Sequence, residues 1–82
     1  MTKRTLTLYG RVDCPLCEDM ITAIRPLIAA GGHDLREVDV DADPLLKARF
    51  GWDVPLLFDG DREIFRHFPD LAALRNWFAV NP

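Results

Sequence analysis

The sequence lacks a long run of apolar residues, which excludes a segment of the roughly 20 residues needed to span a bilayer. It also lacks an excess of basic residues, since 10 Lys and Arg against 13 Asp and Glu give a net charge of −3. We therefore expect neither a membrane nor a nucleic acid among its partners. No internal repeat, linker or low-complexity tract interrupts the chain. With 82 residues, 49% of them hydrophobic, the composition excludes disorder and predicts a single domain over residues 1–82.

We also expect no secretory signal. The start, Met1-Thr2-Lys3-Arg4, is basic but leads directly into an alternating segment without an apolar core. We therefore expect a cytoplasmic location, where structural disulfides are rare and a pair of cysteines is typically catalytic. Cysteine is scarce, and its two copies, Cys14 and Cys17, lie three positions apart.

These cysteines stand between a predicted strand and a predicted helix. The segment Thr5–Tyr9 alternates polar and apolar residues, which is the period of a half-buried strand. Apolar residues from Cys17 to Ile28 recur at helical intervals and form one stripe. Pro15 occupies the first turn of this helix, where its missing N–H costs nothing. A Cys-x-x-Cys motif in this βα setting is typical of a dithiol redox site.

The beginning of a helix suits this chemistry. A thiolate rather than a thiol attacks a disulfide, and the unpaired N–H groups of a helix N-terminus stabilise an anion. Cys14 lies nearer the helix tip and is the predicted attacking sulfur. Cys17 lies almost one turn deeper, on the core-facing stripe, and is the predicted resolving thiol. The acidic residues Asp13, Glu18 and Asp19 surround the pair and oppose ionisation.

The rest of the chain carries further helix and strand signals. The predicted elements are a helix over 15–30, a strand over 34–40, a helix over 45–50, strands over 56–58 and 62–66, and a terminal helix. We expect the first helix to continue through Pro26 with a kink and to stop at Gly31-Gly32. Asp43 and Asp70 are predicted N-caps, and Asp59-Gly60 is a hairpin signal. The order β-α-β-α-β-β-α predicts an α/β sheet with helices on both faces.

These elements together resemble the thioredoxin fold in its shortest form, that of the glutaredoxins, with a four-stranded mixed sheet. The resemblance covers nearly the whole chain. Cys14-Pro15-Leu16-Cys17 is similar to the glutaredoxin Cys-Pro-Tyr-Cys, and Val54-Pro55 matches a Val-Pro that carries a cis peptide bond in that family. The resemblance implies a cis Pro55 and a main chain at Val54 that pairs with the substrate like an added strand.

The same resemblance implies two contacts with glutathione. Arg11 stands where glutaredoxins carry a lysine that meets a glutathione carboxylate, and Asp70 takes the place of an acidic residue that holds the γ-glutamyl end. The substrate-binding residues implied in this way are Arg11, Pro15, Leu16, Val54, Pro55 and Asp70.

Other residues depart from the glutaredoxin pattern. Arg66 and His67 replace a Gly-Gly pair after the fourth strand, and their side chains oppose the close approach of a ligand to the backbone. Glu18 follows the second cysteine, where many members have a basic residue. Glutathione therefore stays open as a co-substrate, and no bound cofactor is expected.

We predict a monomeric thiol–disulfide oxidoreductase that reduces protein disulfides or glutathione mixed disulfides and is recycled by glutathione or by a reductase. The alternative is a non-catalytic thioredoxin-fold module that binds a partner or senses oxidation. A zinc site would need His33 and His67, which lack the paired spacing of such ligands, so no metal is expected. Iron–sulfur cluster binding through Cys14 is disfavoured by Pro15 in related proteins. Trp52 has two open interpretations, as part of the substrate cleft or as a buried anchor of its loop.

Overall fold

The computed structural model describes residues 3–81, which form four strands, three α-helices and one 3₁₀ turn. The elements are β1 (Thr5–Gly10), α1 (Pro15–Ala30), β2 (Asp34–Asp39), the 3₁₀ turn (Val40–Ala42), α2 (Pro44–Phe50), β3 (Leu56–Asp59), β4 (Arg62–Arg66) and α3 (Leu71–Val80). The predicted domain limits include residues 1, 2 and 82, which lie outside the described part. Among residues 3–81, no helix is long and apolar enough to cross a bilayer.

The four strands form one mixed sheet in the order β2-β1-β3-β4. β1 and β2 run parallel, as a crossover through α1 requires, while β3 is antiparallel to both β1 and β4. In the register, Gly10 pairs with Asp39, Tyr9 with Leu56, and Leu56 with Arg66. The ends of β1, β2 and β4 and the start of β3 therefore lie together. We call this the upper end of the sheet, and the end where β1 begins the lower end.

Two apolar clusters cover the two faces of the sheet. The cluster under α1 and α3 contains Leu6, Leu8, Met20, Ile24, Ile28, Leu57 and Leu74. The cluster under α2 contains Val40, Phe50, Leu56 and Phe58, with Tyr9 packed against it. The alternation in β1 thus sends Leu6 and Leu8 to one face and Tyr9 to the other. The predicted α/β fold, with a four-stranded mixed sheet and helices on both faces, is confirmed.

Helices begin and end at the predicted cap residues. Asp43 and Asp70 each accept a hydrogen bond of 2.9 Å from a main-chain N–H in the first turn of their helix. α1 continues through Pro26 and ends at Ala30. The chain then reverses at Gly32, whose φ of 75° lies in the left-handed region that favours glycine.

Two local features differ from the predicted boundaries. β2 ends at Asp39, one residue early, because its carboxylate accepts the N–H of Asp41 at 2.9 Å and begins the 3₁₀ turn. The hairpin turn consists of Gly60-Asp61, since Asp59 already pairs with its partner in β4. Gly60 has a φ of 61°, as the first central residue of a primed turn requires.

Polar side chains join the two ends of the described chain at the lower end of the sheet. Oδ2 of Asp59 accepts hydrogen bonds of 2.8 Å from Nη1 of Arg4 and from Nε1 of Trp77. Nε of Arg4 also donates to the carbonyl of Asn81 at 2.9 Å. These bonds hold the segment before β1 against the end of α3.

Candidate active site

Both cysteines lie at the upper end of the sheet, where α1 begins. Cys14 is itself the N-cap residue, and Pro15 follows at the first helical position. The main-chain N–H of Cys17 donates to Sγ of Cys14 at 3.3 Å, in the place where an N-cap oxygen usually accepts. The helix therefore presents a hydrogen-bond donor directly to the sulfur of Cys14.

The two free thiols differ in exposure. Cys14 is half-buried, whereas Cys17 is only 3% exposed. Gly10, at the end of β1, lies against the buried thiol, and a Cβ there would come within 3.3 Å of Sγ of Cys17. An incoming disulfide can therefore reach Cys14 first, while Cys17 lies behind it.

Burial also changes the acidity of the inner thiol. The pKa of Cys17 is raised from 9.0 to about 11, mainly by burial and in part by a hydrogen bond with the thiol of Cys14. The main-chain N–H and the positive charge of Arg11 act in the opposite direction. Cys17 is thus a protonated thiol at neutral pH.

The raised pKa of Cys17 predicts a loss of stability at alkaline pH. An unfolded chain ionises this thiol near its usual pKa of 9.0, while the folded protein keeps it protonated up to about 11. The stabilisation is therefore complete below pH 9 and is lost as the pH rises through about 11. We expect the free energy of unfolding of the reduced protein to fall over this interval more steeply than that of Cys17→Ala. Urea unfolding in the presence of a reductant measures both curves, and an equal fall would contradict the prediction.

Arg11 stands in the loop before Cys14, with its guanidinium already engaged. Nε and Nη2 donate to the two carboxylate oxygens of Asp41 at 2.6 and 3.1 Å, and Nη1 donates to the carbonyl of Gly51 at 3.2 Å. The hydrogen bonds from Arg11 lower the pKa of the Asp41 carboxyl. This contact ties the β1–α1 loop to the 3₁₀ turn and to the end of α2. The role of Arg11 toward a glutathione carboxylate stays a prediction.

The segment before β3 lies at the same end of the sheet. The Val54–Pro55 peptide bond is cis. Pro55 is buried, and its carbonyl accepts the main-chain N–H of His67 at 2.7 Å. Val54 is half-buried, and its main-chain N–H and carbonyl have no hydrogen-bond partner within residues 3–81. A free donor and acceptor next to a strand are what pairing with an added strand requires.

Contacts with acidic side chains hold the loop after β4 in place. His67 has a φ of 72°, in the left-handed region that favours glycine. Arg66 pairs with Glu63 and lies 3.4 Å from Asp53, and Nε2 of His67 lies 3.6 Å from the same Asp53 carboxylate. The loop is therefore fixed against the turn that precedes Val54.

The other predicted site residues flank this region. Pro15 and Leu16, in the first turn of α1, are exposed. Asp70 is exposed at the beginning of α3, and Oδ1 of its carboxylate caps that helix by accepting the N–H of Ala73. The structure thus brings the cysteines, Arg11, Val54 and Pro55 to one end of the sheet. The carboxylate of Asp70 is already used as the N-cap of α3.

Trp52 is exposed, so the interpretation as a buried anchor is wrong. Its side chain is 96% accessible. The turn that contains it is held by main-chain groups instead, because the carbonyl of Gly51 binds Arg11 and the N–H of Asp53 donates to Phe50 at 2.8 Å.

Neither a nearby cleft nor the histidines complete a metal site. A cleft of about 370 Å³ lies between α1 and the ends of β1 and β2, and its lining includes Cys17 but neither Cys14 nor Pro55. His33 lies at the lower end, where its Nδ1 accepts the main-chain N–H of Arg4 at 2.9 Å. The four ligands of the zinc interpretation are therefore not brought together.

Comparisons with known proteins agree with this geometry. Residues 5–79 match the family model described as a glutaredoxin-like domain (DUF836). The chain is similar to protein Ne2328 from Nitrosomonas europaea, with 30% identity, 94% of this chain and 93% of that chain covered, and a TM-score of 0.83. It is also similar to protein XcR50 from X. campestris, with 36% identity, 94% of this chain and 99% of that chain covered, and a TM-score of 0.70. A glutaredoxin from Brucella melitensis is similar to the chain with 26% identity, 99% of this chain and 88% of that chain covered, and a TM-score of 0.57. No curated protein sequence matches the chain.

Proposed function

The chain belongs to the glutaredoxin-like domain family, and we propose that it is a thiol–disulfide oxidoreductase working through Cys14 and Cys17. One observation supports this above the others. Sγ of Cys14 is the N-cap acceptor of α1, half-buried at the end of the sheet where the main chain of Val54 has no partner in the described part of the chain. A reactive sulfur and a strand-pairing edge are the two parts that attack on a peptide disulfide needs.

The reaction begins at the outer sulfur. The thiolate of Cys14, stabilised by the N–H of Cys17 and by the start of α1, attacks one sulfur of the substrate disulfide. A new S–S bond forms, and the other substrate sulfur leaves with the electron pair and takes up a proton. Because Cys17 is protonated at neutral pH, it does not compete for this first attack.

Cys17 completes the reaction. Its thiol loses a proton and attacks Sγ of Cys14, and the bond between Cys14 and the substrate breaks as the second substrate sulfur leaves. Two electrons and two protons pass from the dithiol to the substrate, and a disulfide joins Cys14 to Cys17. A thiol reductant, either glutathione or the dithiol of a reductase, would return the pair to its starting state.

Substrate contacts follow from the same end of the sheet. The main chain of Val54 pairs with the segment that contains the substrate cysteine, while the exposed side chains of Pro15 and Leu16 form apolar contacts beside it. The side chain of Pro55 is fully buried, so Pro55 acts on the substrate only by positioning Val54. Arg11 and Asp70 would contact glutathione only by giving up the hydrogen bonds with Asp41 and with the first turn of α3.

Trapping of the intermediate tests this proposal. Cys17→Ser should accumulate a mixed disulfide between Cys14 and a substrate protein such as insulin, because no second thiol remains to release it. Mass spectrometry of the acid-quenched, unreduced mixture measures the adduct, which should be absent from Cys14→Ser. An adduct in Cys14→Ser would contradict the assigned roles. If neither variant forms an adduct and the wild type reduces nothing, the chain is a non-catalytic module.

A further inference from the structure

Four of the exposed large apolar side chains belong to segments at the upper end of the sheet, where Cys14 lies. Val12, Leu16, Trp52 and Phe68 are 68%, 46%, 96% and 68% exposed, and we call these four the apolar rim. A patch of large, solvent-exposed apolar side chains is typical of an interaction surface.

Hydrogen bonds place all parts of the rim next to the site. Val12 and Leu16 stand two residues before and two after Cys14 in the chain. The turn that contains Trp52 is held by the bond between Arg11 and the carbonyl of Gly51. The loop that contains Phe68 is held by the bond from the N–H of His67 to Pro55. The rim is therefore formed by three separate segments at the end of the sheet where Cys14 lies.

The charge beside Cys14 is negative. Asp13, Glu18 and Asp19 are exposed and form no ion pair within residues 3–81. Arg11 and Arg66, at the same end of the sheet, are both neutralised, since Arg11 binds Asp41 and Arg66 binds Glu63 and Asp53. An approaching substrate thus meets unbalanced carboxylates.

Resting on the function proposed above, we infer that the substrate is the disulfide of a polypeptide whose cysteine has apolar and basic neighbours. Its main chain would pair with Val54, its apolar side chains would cover the rim, and its basic side chains would meet the free carboxylates. Glutathione matches this surface poorly, because it has two carboxylates and no large apolar group. Charge complementarity also steers association, so the preference should appear in the rate of encounter.

A single-turnover experiment on the reduced full chain tests the inference. The probes are two disulfide-cyclised peptides with the same ring, one with Leu and Lys beside its cysteines and one with Ser and Glu, together with oxidised glutathione. Each rate is divided by the rate at which dithiothreitol reduces the same probe, which removes differences in intrinsic reactivity. We expect the Leu/Lys peptide to react at least about tenfold faster than either other probe. Added salt should reduce this preference.

Serine variants inside and outside the rim distinguish a contact with the rim from a general effect of surface hydrophobicity. Val12→Ser and Trp52→Ser should each lower the ratio of the Leu/Lys rate to the glutathione rate about fivefold, the effect of roughly 1 kcal/mol of lost apolar contact. Val80 is 64% exposed at the lower end of the sheet, so Val80→Ser should leave both rates unchanged.

The outcomes distinguish the inference from the function on which it rests. Equal rates for the three probes, or rim variants that behave like Val80→Ser, would overturn the inference while the oxidoreductase assignment stands. A wild-type chain that reduces none of the probes would overturn both. Faster reaction with oxidised glutathione than with either peptide would identify glutathione as the substrate instead.

Discussion

Cys14→Ser is expected to lower the rate of disulfide reduction by at least about a thousandfold, the scale of loss when a nucleophile is removed. Cys14 is the accessible sulfur and accepts the hydrogen bond from the N–H of Cys17. A serine hydroxyl would accept the same bond and preserve the cap, so the variant should fold normally. The loss therefore reports chemistry rather than structure. Steady-state reduction of insulin and of a glutathionylated peptide, with dithiothreitol as reductant, measures it.

Cys17→Ser provides the comparison for this result. It should lose most of its activity on insulin, where the second thiol is needed to release the product. It should keep any activity on the glutathionylated peptide, because an external thiol can resolve that intermediate. Wild-type rates in both variants would contradict the catalytic assignment.

Leu57→Ala is expected to cost about 2–5 kcal/mol of stability, the usual range for removing a fully buried leucine. Leu57 is 0% exposed in β3, where it pairs with Leu8 on one side and with Phe65 on the other. The free energy of unfolding of a domain is typically about 5–15 kcal/mol in total. The cavity left by this substitution would therefore remove a large share of the protein's stability. Urea unfolding followed by circular dichroism measures the change.

Leu45→Ala serves as the matched control. Leu45 is 80% exposed in the first turn of α2, and the same substitution there should change the free energy of unfolding by no more than about 0.5 kcal/mol. If Leu57→Ala lowers the free energy of unfolding no more than Leu45→Ala does, Leu57 is not part of a close-packed core.

Local patterns in the sequence were sufficient to predict most of the fold. The alternation over Thr5–Tyr9 places side chains on both faces of β1, and the caps Asp43 and Asp70 act within their own first turns. Cys14 and Cys17 could be assigned to the tip of α1 because strand, loop and helix follow one another without interruption. All of these interactions connect residues only a few positions apart, which is why single-sequence reasoning captured them.

Long-range partners could not be predicted in the same way. The contact of Arg11 with Asp41 joins residues 30 positions apart, and either side chain alone looks like a solvated charge. The exposure of Trp52 depends on main-chain bonds that hold its turn. The left-handed conformation of His67 cannot be predicted from its being a histidine. The acidic neighbours of the cysteines could be named from the sequence, but the neutralisation of Arg11 by Asp41 was apparent only once the loops had been placed in three dimensions.

The bonds of Arg4 with Asp59 and Asn81 have a consequence for handling the protein. They bring residues 4 and 81 together at the lower end, while Cys14 lies beyond the other end of β1, about 20 Å away for six residues at roughly 3.3 Å each. A fluorophore, affinity handle or surface linker attached near either residue would point away from the thiols. Immobilised copies would then present their sulfurs to the solution, so that exchange with a captured substrate could be followed on a sensor chip.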